Sequence, residues 1–201
     1  TAAAMSANGL KTPLHGVLFK AGRIDAIAGT PSTVKGNPAL LIETEIGYVI
    51  ATDIGTKLRV PRQAVTTVEA LVPVIELPNN PGVMKDGKLI VQPLDAVAGN
   101  IGSNQFIVGT SVPTKNIANT DALAVTLERD GKKLHETTGA DVNGGQAQML
   151  MTLINQIVEQ GHVLHRGDII ITGALAGAKP AEKGSYVANY GALGKIEFKV
   201  E

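Results

Sequence analysis

The chain of 201 residues carries 18 Lys and Arg against 18 Asp and Glu, so its formal net charge is zero and nothing electrostatic favours binding to nucleic acid or to an anionic membrane. It is 44% hydrophobic and 18% charged, a composition typical of globular proteins and not of disordered ones. It has no cysteine, which excludes disulfides, thiol nucleophiles, iron–sulfur clusters and thiolate zinc sites. No run of about 18 uncharged apolar residues occurs, so the sequence predicts no membrane-spanning helix.

The first part of the chain is predicted to be mainly extended. Residues 14–29 contain short apolar pieces without a helical stripe, and residues 31–38 are rich in Pro, Ser, Gly and Asn, so we expect strands or loop followed by a turn. The clearest strand prediction is residues 39–53, because side chains there alternate with period two. One face takes Leu40, Ile42, Thr44, Ile46, Tyr48 and Ile50, and the other takes Leu41, Glu43, Glu45, Gly47 and Val49.

The middle of the chain continues in short elements. Residues 62–67 predict a short helix or turn, and residues 70–77 predict an apolar strand that contains one acid, Glu76. Residues 89–94 begin as a strand that Pro93 stops. After it we expect a helical turn with a glycine break at residues 95–100 and a strand at residues 105–109.

The second half combines a hairpin, one main helix and further strands. An Asp130-Gly131 turn between two extended runs predicts a β-hairpin. Apolar residues at helical spacing predict a helix over residues 145–160, with Asn143 available as its N-terminal cap and Gly161 as its stop. The hairpin strands are residues 123–129 and 132–137, and three more strands are predicted at residues 168–172, 185–189 and 195–200.

Three glutamates are candidate metal ligands. Glu43 and Glu45 stand two residues apart in a strand, so their carboxylates project from the same face. The same spacing also fits the solvated face of a half-buried strand. Glu76 favours a cation, because an unpaired carboxylate at the end of a buried strand is costly and a divalent ion would neutralise it. Three carboxylates with open water positions suit Mg²⁺ or Mn²⁺.

Three histidines and one threonine are further candidates, each with a simpler alternative. His15 could act as a general base or could be structural. His162 and His165 flank the end of the predicted helix, where solvated histidines complement the helix dipole and a metal pair would lack a third ligand. Thr172 precedes a glycine, so its hydroxyl could meet a substrate carboxylate or could simply lie in a tight turn.

The order of several motifs resembles a known family. It is similar to the 2-keto-4-pentenoate hydratase and oxalocrotonate decarboxylase group of the fumarylacetoacetate hydrolase superfamily, and the resemblance runs over nearly the whole chain. Members of that group usually extend further at the N-terminus, with a lysine in a Lys-x-Gly-Leu-Thr stretch. They also carry an aspartate soon after the first motif, where this chain has Lys20, and Asp25 is a candidate replacement. The motifs are Gly16-Val17-Leu18-Phe19, Ile42-Glu43-Thr44-Glu45-Ile46, Ile75-Glu76, residues 95–100, Gly167-Asp168 and Thr172-Gly173-Ala174-Leu175.

The resemblance implies a fold and a set of site residues. The fold would be α+β and mostly β, a mixed β-roll with one main helix. Glu43, Glu45 and Glu76 would bind Mg²⁺ or Mn²⁺. The resemblance also implies catalytic roles for His15, Asp95 and Thr172, and substrate binding by Asn100, Gly173 and Ala174.

The implied chemistry is that of a lyase in the catabolism of aromatic compounds, which enolises a small 2-oxo acid. Hydration of a 2-hydroxypenta-2,4-dienoate-like substrate is the first expectation. Decarboxylation, hydrolysis of a carbon–carbon bond and a non-catalytic role in ligand binding are the alternatives. A hydrolase would need a water-activating base, for which His15 is the candidate.

The resemblance and the composition together lead to expectations for the whole chain. Residues 1–201 should form a single catalytic-type domain that lacks the N-terminal segment of its family. A glycine-rich, mostly β domain of this kind should leave apolar sheet surface exposed, so we expect a homo-oligomer. We expect a cytoplasmic protein whose partner is a small 2-oxo acid, and neither a nucleic acid nor a membrane.

Overall fold

The computed structural model describes residues 12–80, 83–85, 88–90 and 93–201. Its helices are α1 (Pro61–Thr66), α2 (Pro93–Ala98) and α3 (Gln146–Glu159), with short 3₁₀ turns at Lys20–Gly22, Asn100–Gly102, Thr114–Asn116 and Gly191–Leu193. Its strands are β1 (Arg23–Asp25), β2 (Ser32–Val34), β3 (Leu41–Ile50), β4 (Val68–Leu77), β5 (Val83–Lys85), β6 (Lys88–Ile90), β7 (Gln105–Val108), β8 (Val112–Pro113), β9 (Ala124–Arg129), β10 (Lys132–Thr138), β11 (Ile169–Ile171), β12 (Leu175–Pro180), β13 (Gly184–Asn189) and β14 (Lys195–Val200).

The larger sheet is built around the antiparallel pair β3 and β4. Within the described residues its strand order is β1-β7-β4-β3-β11, with β12 also pairing with β3 and β8 with β4. The even-numbered face of β3, from Ile42 to Ile50, is buried, as the alternation predicts. The register sets Glu43 directly opposite Glu76 and Glu45 opposite Val74, so these side chains share the other face of the sheet.

The second sheet supplies the other half of the core. In the described part of the chain its strand order is β10-β9-β13-β14-β2. Its inner residues, among them Leu127 and Phe198, join Ile42 and Ile46 of the first sheet in one apolar cluster. Each such side chain contributes about 1.5–3 kcal/mol relative to exposure. The two sheets are therefore held together by a shared aliphatic core.

Helix α3 covers the buried face of the first sheet near β3. Met149, Leu150 and Ile154 are buried in the same cluster as the even-numbered residues of β3. The helix stops at Gly161, whose φ is +83°, as predicted. The prediction that Asn143 caps the helix is wrong. Gly145 occupies the N-cap position and has no side chain that could accept a hydrogen bond. Asp121 instead accepts a hydrogen bond from the Gln146 N–H at 2.7 Å.

The prediction of an α+β, mostly β fold with one main helix is confirmed. The predicted hairpin corresponds to β9 and β10. Four strands are missing from the prediction, namely β2, β5, β8 and β12, and β2 lies within the turn predicted at residues 31–38. For the strand expected at residues 89–94, residues 91 and 92 lie outside the described residues. None of the helices in the described part of the chain has the length and hydropathy of a membrane-spanning segment.

Candidate metal centre

Three glutamates converge where β3 and β4 pair. Each of Glu43, Glu45 and Glu76 offers a carboxylate oxygen, and these oxygens all lie within 4.8 Å of one another. The antiparallel register brings them together, because Glu43 faces Glu76 across the pair and Glu45 follows two residues later on the same face. The pairing of β3 with β4 therefore brings the three glutamates together, as their positions in the predicted strands favoured.

Burial shifts the protonation of all three carboxyls. Glu45 is only 2% exposed, so the alternative that it lies on a solvated strand face is wrong. Burial, and then the neighbouring Glu76, raise the pKa of Glu43 to about 8. Burial followed by the charges of Glu76 and Glu43 raises the pKa of Glu45 well above its ordinary value. Burial also raises the pKa of Glu76, against the opposing effect of hydrogen bonds from Glu45 and Glu43.

These carboxyls fit a divalent cation. Among the residues that the structure describes, no Lys, Arg or His forms an ion pair with any of the three. Clustered buried carboxylates without a counter-charge must either take up protons or bind a cation. Oxygen-only ligands are the set that Mg²⁺, Mn²⁺ and Ca²⁺ prefer. The Gly173 N–H donates to Glu45 Oε2 at 2.7 Å and holds that carboxylate in place.

The triad lines a cavity of about 880 Å³. Residues 13–18 form one side of it. One face of α3, from Met149 to Ile157, contributes another, together with residues 162–164 and 167–174. Titratable groups other than the triad also line it, namely His15, Lys20, Arg23, His162 and Asp168. The cavity is thus large enough for a small organic acid beside the glutamates.

The predicted catalytic residues are dispersed. His15 lines the cavity, and its Nε2 lies 3.2 Å from Oε1 of Gln160, the residue that follows α3. Asp95 is exposed on α2 and does not line the cavity. Asp25, considered as a replacement for the family aspartate, is exposed and accepts hydrogen bonds from Arg23 at 2.7 and 2.9 Å. The structure therefore brings His15, but neither aspartate, to the cavity.

Thr172 contributes to the lining of the cavity but directs its hydroxyl elsewhere. Ile171 pairs with Gly47, so the next residue points to the opposite face of the sheet from Glu45. There the Thr172 hydroxyl donates to Gln146 Oε1 at 2.6 Å. The side chain is consequently used in the core and not beside the glutamates.

The predicted substrate-binding residues all line the cavity. Asn100 uses its amide on the backbone of Val17, with Oδ1 accepting from the Val17 N–H at 2.7 Å and Nδ2 donating to its carbonyl at 2.8 Å. The Gly173 N–H is engaged by Glu45, as described above. Ala174 contributes a small apolar surface. The two candidates with polar groups therefore hold parts of the site in place.

The remaining histidines do not form a metal pair. His162 lines the cavity, whereas the His165 Nδ1 lies 3.1 Å from Asp53 Oδ2 on the exposed surface. Glu43, Glu45 and Glu76 are the group of potential metal ligands found among the described residues. The simpler alternative, solvated histidines near the helix end, fits His165.

Sequence reasoning missed Gln146, which organises the region behind the site. Its Oε1 accepts from the Tyr48 hydroxyl at 2.8 Å as well as from Thr172, and its Nε2 donates to the Gly139 carbonyl at 2.8 Å. Gln146 stands three and four residues before Met149 and Leu150, so helical spacing puts it on the buried face. A polar residue on the buried face of the predicted helix was the sequence signal that could have identified Gln146.

The chain is similar in sequence to curated proteins that are named as a decarboxylase and as a hydratase. Among curated relatives, 4-oxalocrotonate decarboxylase of Pseudomonas sp. strain CF600 is 25% identical over 190 residues, which cover 92% of this chain and 68% of that protein. The 2-keto-4-pentenoate hydratase of Burkholderia vietnamiensis strain G4 is 28% identical over 157 residues, or 77% of this chain and 58% of the hydratase. The chain therefore spans little more than half the length of that hydratase.

A solved structure supports the fold. The 4-oxalocrotonate decarboxylase from Pseudomonas putida G7, complexed with magnesium and adipate, matches with a TM-score of 0.86 at 22% identity, over 99% of this chain and 74% of that one. The sequence itself matches the family described as fumarylacetoacetate (FAA) hydrolase C-terminal over residues 3–201. The resemblance inferred from the motifs is thereby confirmed, and the chain belongs to the fumarylacetoacetate hydrolase C-terminal family.

Proposed function

We propose that the protein is a divalent-metal-dependent lyase of small 2-oxo acids, and that it hydrates a 2-hydroxypenta-2,4-dienoate-like substrate. The observation that carries this proposal is the convergence of Glu43, Glu45 and Glu76 in the wall of an 880 Å³ cavity. The relatives named as a hydratase and a decarboxylase support the reaction class.

The proposed cofactor is Mg²⁺ or Mn²⁺, held by the three glutamates. Magnesium in the related decarboxylase supports a divalent ion of this kind. When bound, such an ion supplies Lewis-acid stabilisation of the negative charge that develops as a 2-oxo acid enolises.

The residues of the chain supply charge, orientation and proton transfer. The triad balances the charge of a cation, and the Gly173 N–H orients the carboxylate of Glu45. We assign proton transfer to His15, which lines the cavity. Because Gln160 Oε1 can only accept a hydrogen bond, the neutral imidazole carries its proton on Nε2 and leaves Nδ1 as the basic atom.

Decarboxylation is the second candidate, because it uses the same enolising site and a relative at 25% identity is named for it. Carbon–carbon bond hydrolysis ranks third. It needs a base paired with an acid, and His15 contacts an amide and not a carboxylate. A non-catalytic ligand-binding role is the remaining alternative, since a fold does not fix a function.

The test is an ultraviolet assay of 2-hydroxypenta-2,4-dienoate with Mg²⁺, Mn²⁺ or a chelator. We expect the dienol absorbance to fall only when a metal is present. Glu45→Gln should abolish turnover, whereas Glu69→Gln should retain it, because Glu69 lies on the same strand as Glu76 but is exposed. Metal-dependent release of CO₂ from 4-oxalocrotonate with the dienoate untouched would make the protein a decarboxylase. Binding of pyruvate without turnover of either substrate would favour the ligand-binding role.

We also propose that residues 1–201 act as one catalytic-type domain and that the protein is a homo-oligomer. The core shared by both sheets supports the first statement. Large apolar side chains exposed on α2 support the second.

A further inference from the structure

One side of the cavity is formed by residues 13–18, which we call the wall segment. These residues lie outside every helix and strand. Leu18 packs against an apolar cluster that includes Val74 and Phe106. Val74 pairs with Glu45, so this cluster lies on the same face of the sheet as the triad. The wall segment therefore closes the cavity on the side of the glutamates.

Side chains hold the wall segment in place. Within the described part of the chain, its hydrogen bonds run to three side chains and to no strand. Gln156 donates to the Pro13 carbonyl at 3.0 Å, and Gln160 contacts His15. Asn100 binds both the N–H and the carbonyl of Val17, at 2.7 and 2.8 Å, as a neighbouring strand would. The contact with Asn100 is thus the two-point attachment of the segment.

The backbone at this attachment is strained and closely packed. Asn100 and Ile101 both lie in the left-handed region, with φ of 52° and 57°, and for a β-branched residue such as isoleucine this is a genuine outlier. Strained backbone of this kind persists where the surrounding structure requires it, often at functional sites. A Cβ on Gly16 would lie 2.8 Å from both the backbone oxygen and the Oδ1 of Asn100. Only glycine allows the wall segment to approach so closely.

We propose that Asn100 is a positioning residue that clamps the wall segment over the cavity and so sets the affinity for a 2-oxo acid. The proposal rests on the function proposed above, which identifies the ligand. Both polar atoms of the amide are engaged with Val17, so Asn100 acts through the wall segment. The geometry of the triad comes from the pairing of β3 with β4 and does not depend on this clamp. Release of the clamp should therefore weaken ligand binding and, because the wall segment carries His15, slow the chemical step as well, whereas metal binding should stay nearly unchanged.

Two variants release the clamp in different ways. Asn100→Gly removes the amide and suits the left-handed backbone, so the turn is preserved. Gly16→Ala keeps the amide but pushes the wall segment away from it. The matched control is Asn155→Ala. Asn155 binds the backbone of Leu58 in the same two-point manner, at 2.7 and 2.9 Å, and does not line the cavity.

The experiment measures amide hydrogen exchange of residues 12–19, the Kd for Mn²⁺, the Kd for pyruvate in the presence of Mn²⁺, and the KM and kcat for the dienoate. Asn100→Gly and Gly16→Ala should each speed exchange about tenfold and raise KM and the pyruvate Kd about tenfold, from the loss of two hydrogen bonds. Their Mn²⁺ affinity should stay within about twofold of wild type, whereas kcat should fall because the wall segment carries His15. Asn155→Ala should change none of these values although it lowers the melting temperature.

Unchanged exchange in both variants would overturn the clamp, and faster exchange with unchanged KM and pyruvate Kd would overturn its effect on affinity. A raised KM in Asn100→Gly but not in Gly16→Ala would mean that Asn100 contacts the ligand directly. A wild-type protein that binds neither Mn²⁺ nor pyruvate would overturn the proposed function and the affinity effect together, whereas the exchange rates decide the clamp by themselves.

Discussion

At the scale of single residues, the three clustered glutamates dominate the energetics of the site. Their ligand oxygens lie within 4.8 Å of one another, and burial removes the water that would screen their charges. In the unfolded chain each of these groups ionises near pH 4.5. At neutral pH the metal-free protein must therefore bind protons as it folds, and each tenfold rise in the proton affinity of a carboxyl on folding corresponds to about 1.4 kcal/mol.

Replacing one of these glutamates should stabilise the metal-free protein. Glu45→Gln has almost the same volume and needs no proton on folding, so we expect its free energy of unfolding at pH 8 to exceed that of wild type by about 1–3 kcal/mol. Saturating Mg²⁺ should narrow this difference, because wild type gains about 2.7 kcal/mol at a hundred times the Kd and the variant gains less. Thermal melts with and without metal measure both effects. Identical melting temperatures in all four samples would contradict a ligand role for Glu45, and Glu69→Gln should behave as wild type.

The metal-free protein should also lose stability as the pH rises. Glu43 titrates near pH 4.5 when unfolded and near 8 when folded, so between these values the native state holds more protons. Stability then falls with increasing pH, by up to about 1.4 kcal/mol per pH unit for one group. Urea titrations from pH 5 to pH 8.5 measure this slope, and saturating Mg²⁺ should flatten it. A metal-free protein whose stability stays level over this range would contradict the raised pKa values.

His135 has the opposite pH dependence over a different range. Burial, and then the nearby Lys179, lower its pKa below the ordinary 6.5. The unfolded chain then binds the proton more readily, so the contribution of His135 is present above pH 6.5 and is lost as the pH falls below that value. Measurements between pH 7 and pH 8.5 therefore exclude the contribution of His135 to the pH dependence.

The sequence predicts the triad but not the contacts around it. Glu43 and Glu45 could be paired from strand periodicity, because that spacing is local. The orientation of the Thr172 side chain depends on a residue in another element, because Gln146 on α3 accepts a hydrogen bond from the Thr172 hydroxyl. In the same way the amide of Asn100 is engaged by Val17, which lies 83 positions away. Such partners follow from the packing of elements, which no local pattern contains.

At the scale of elements, the site depends on how closely β3 approaches β4. The buried Gly47 of β3 stands two residues after Glu45 on the same face. A Cβ at Gly47 would lie 2.6 Å from the side chain of Val72 and 2.8 Å from that of Val74. The pairing that sets the triad therefore requires glycine at this position.

Gly47→Ala should disturb stability and metal binding together. Because the two valines are held in a packed sheet, we expect a loss of about 1–3 kcal/mol from overpacking. The shift of β3 against β4 should also weaken the affinity for Mn²⁺, which titration calorimetry measures. Gly55→Ala is the control, since its Cβ would meet no atom closer than 3.5 Å. An unchanged Mn²⁺ affinity in Gly47→Ala would show that the triad tolerates movement of the strand.

The elements that could be predicted are those with regular patterns. The apolar stripe of α3 and the Asp-Gly hairpin turn are local signals, and both appear in the structure. Strand β12 could not be predicted, because its sequence Leu-Ala-Gly-Ala-Lys-Pro does not alternate. Its register shifts between Leu175 and Lys179, and Ala176 and Gly177 have φ of 58° and 67°. The bulge hides the strand from any period-two pattern.

At the scale of the whole molecule, α2 presents an apolar surface to solvent. Leu94 and Val97 are 81% and 56% exposed, and their spacing of three residues places them on the same side of the helix. Exposed large apolar side chains side by side on one helix are typical of interaction surfaces. The formal net charge of zero adds no long-range repulsion between copies of the chain.

We therefore expect the protein to self-associate through the exposed face of α2. Light scattering at micromolar concentration should give a mass above that of one chain, and the double variant Leu94→Glu with Val97→Glu should lower it, because two buried carboxylates in each copy would oppose contact. Val65→Glu on α1 removes a single exposed apolar side chain elsewhere and should leave the mass unchanged. A wild-type mass equal to that of one chain would contradict self-association, and an oligomer that survives the double variant would place the contact on another surface.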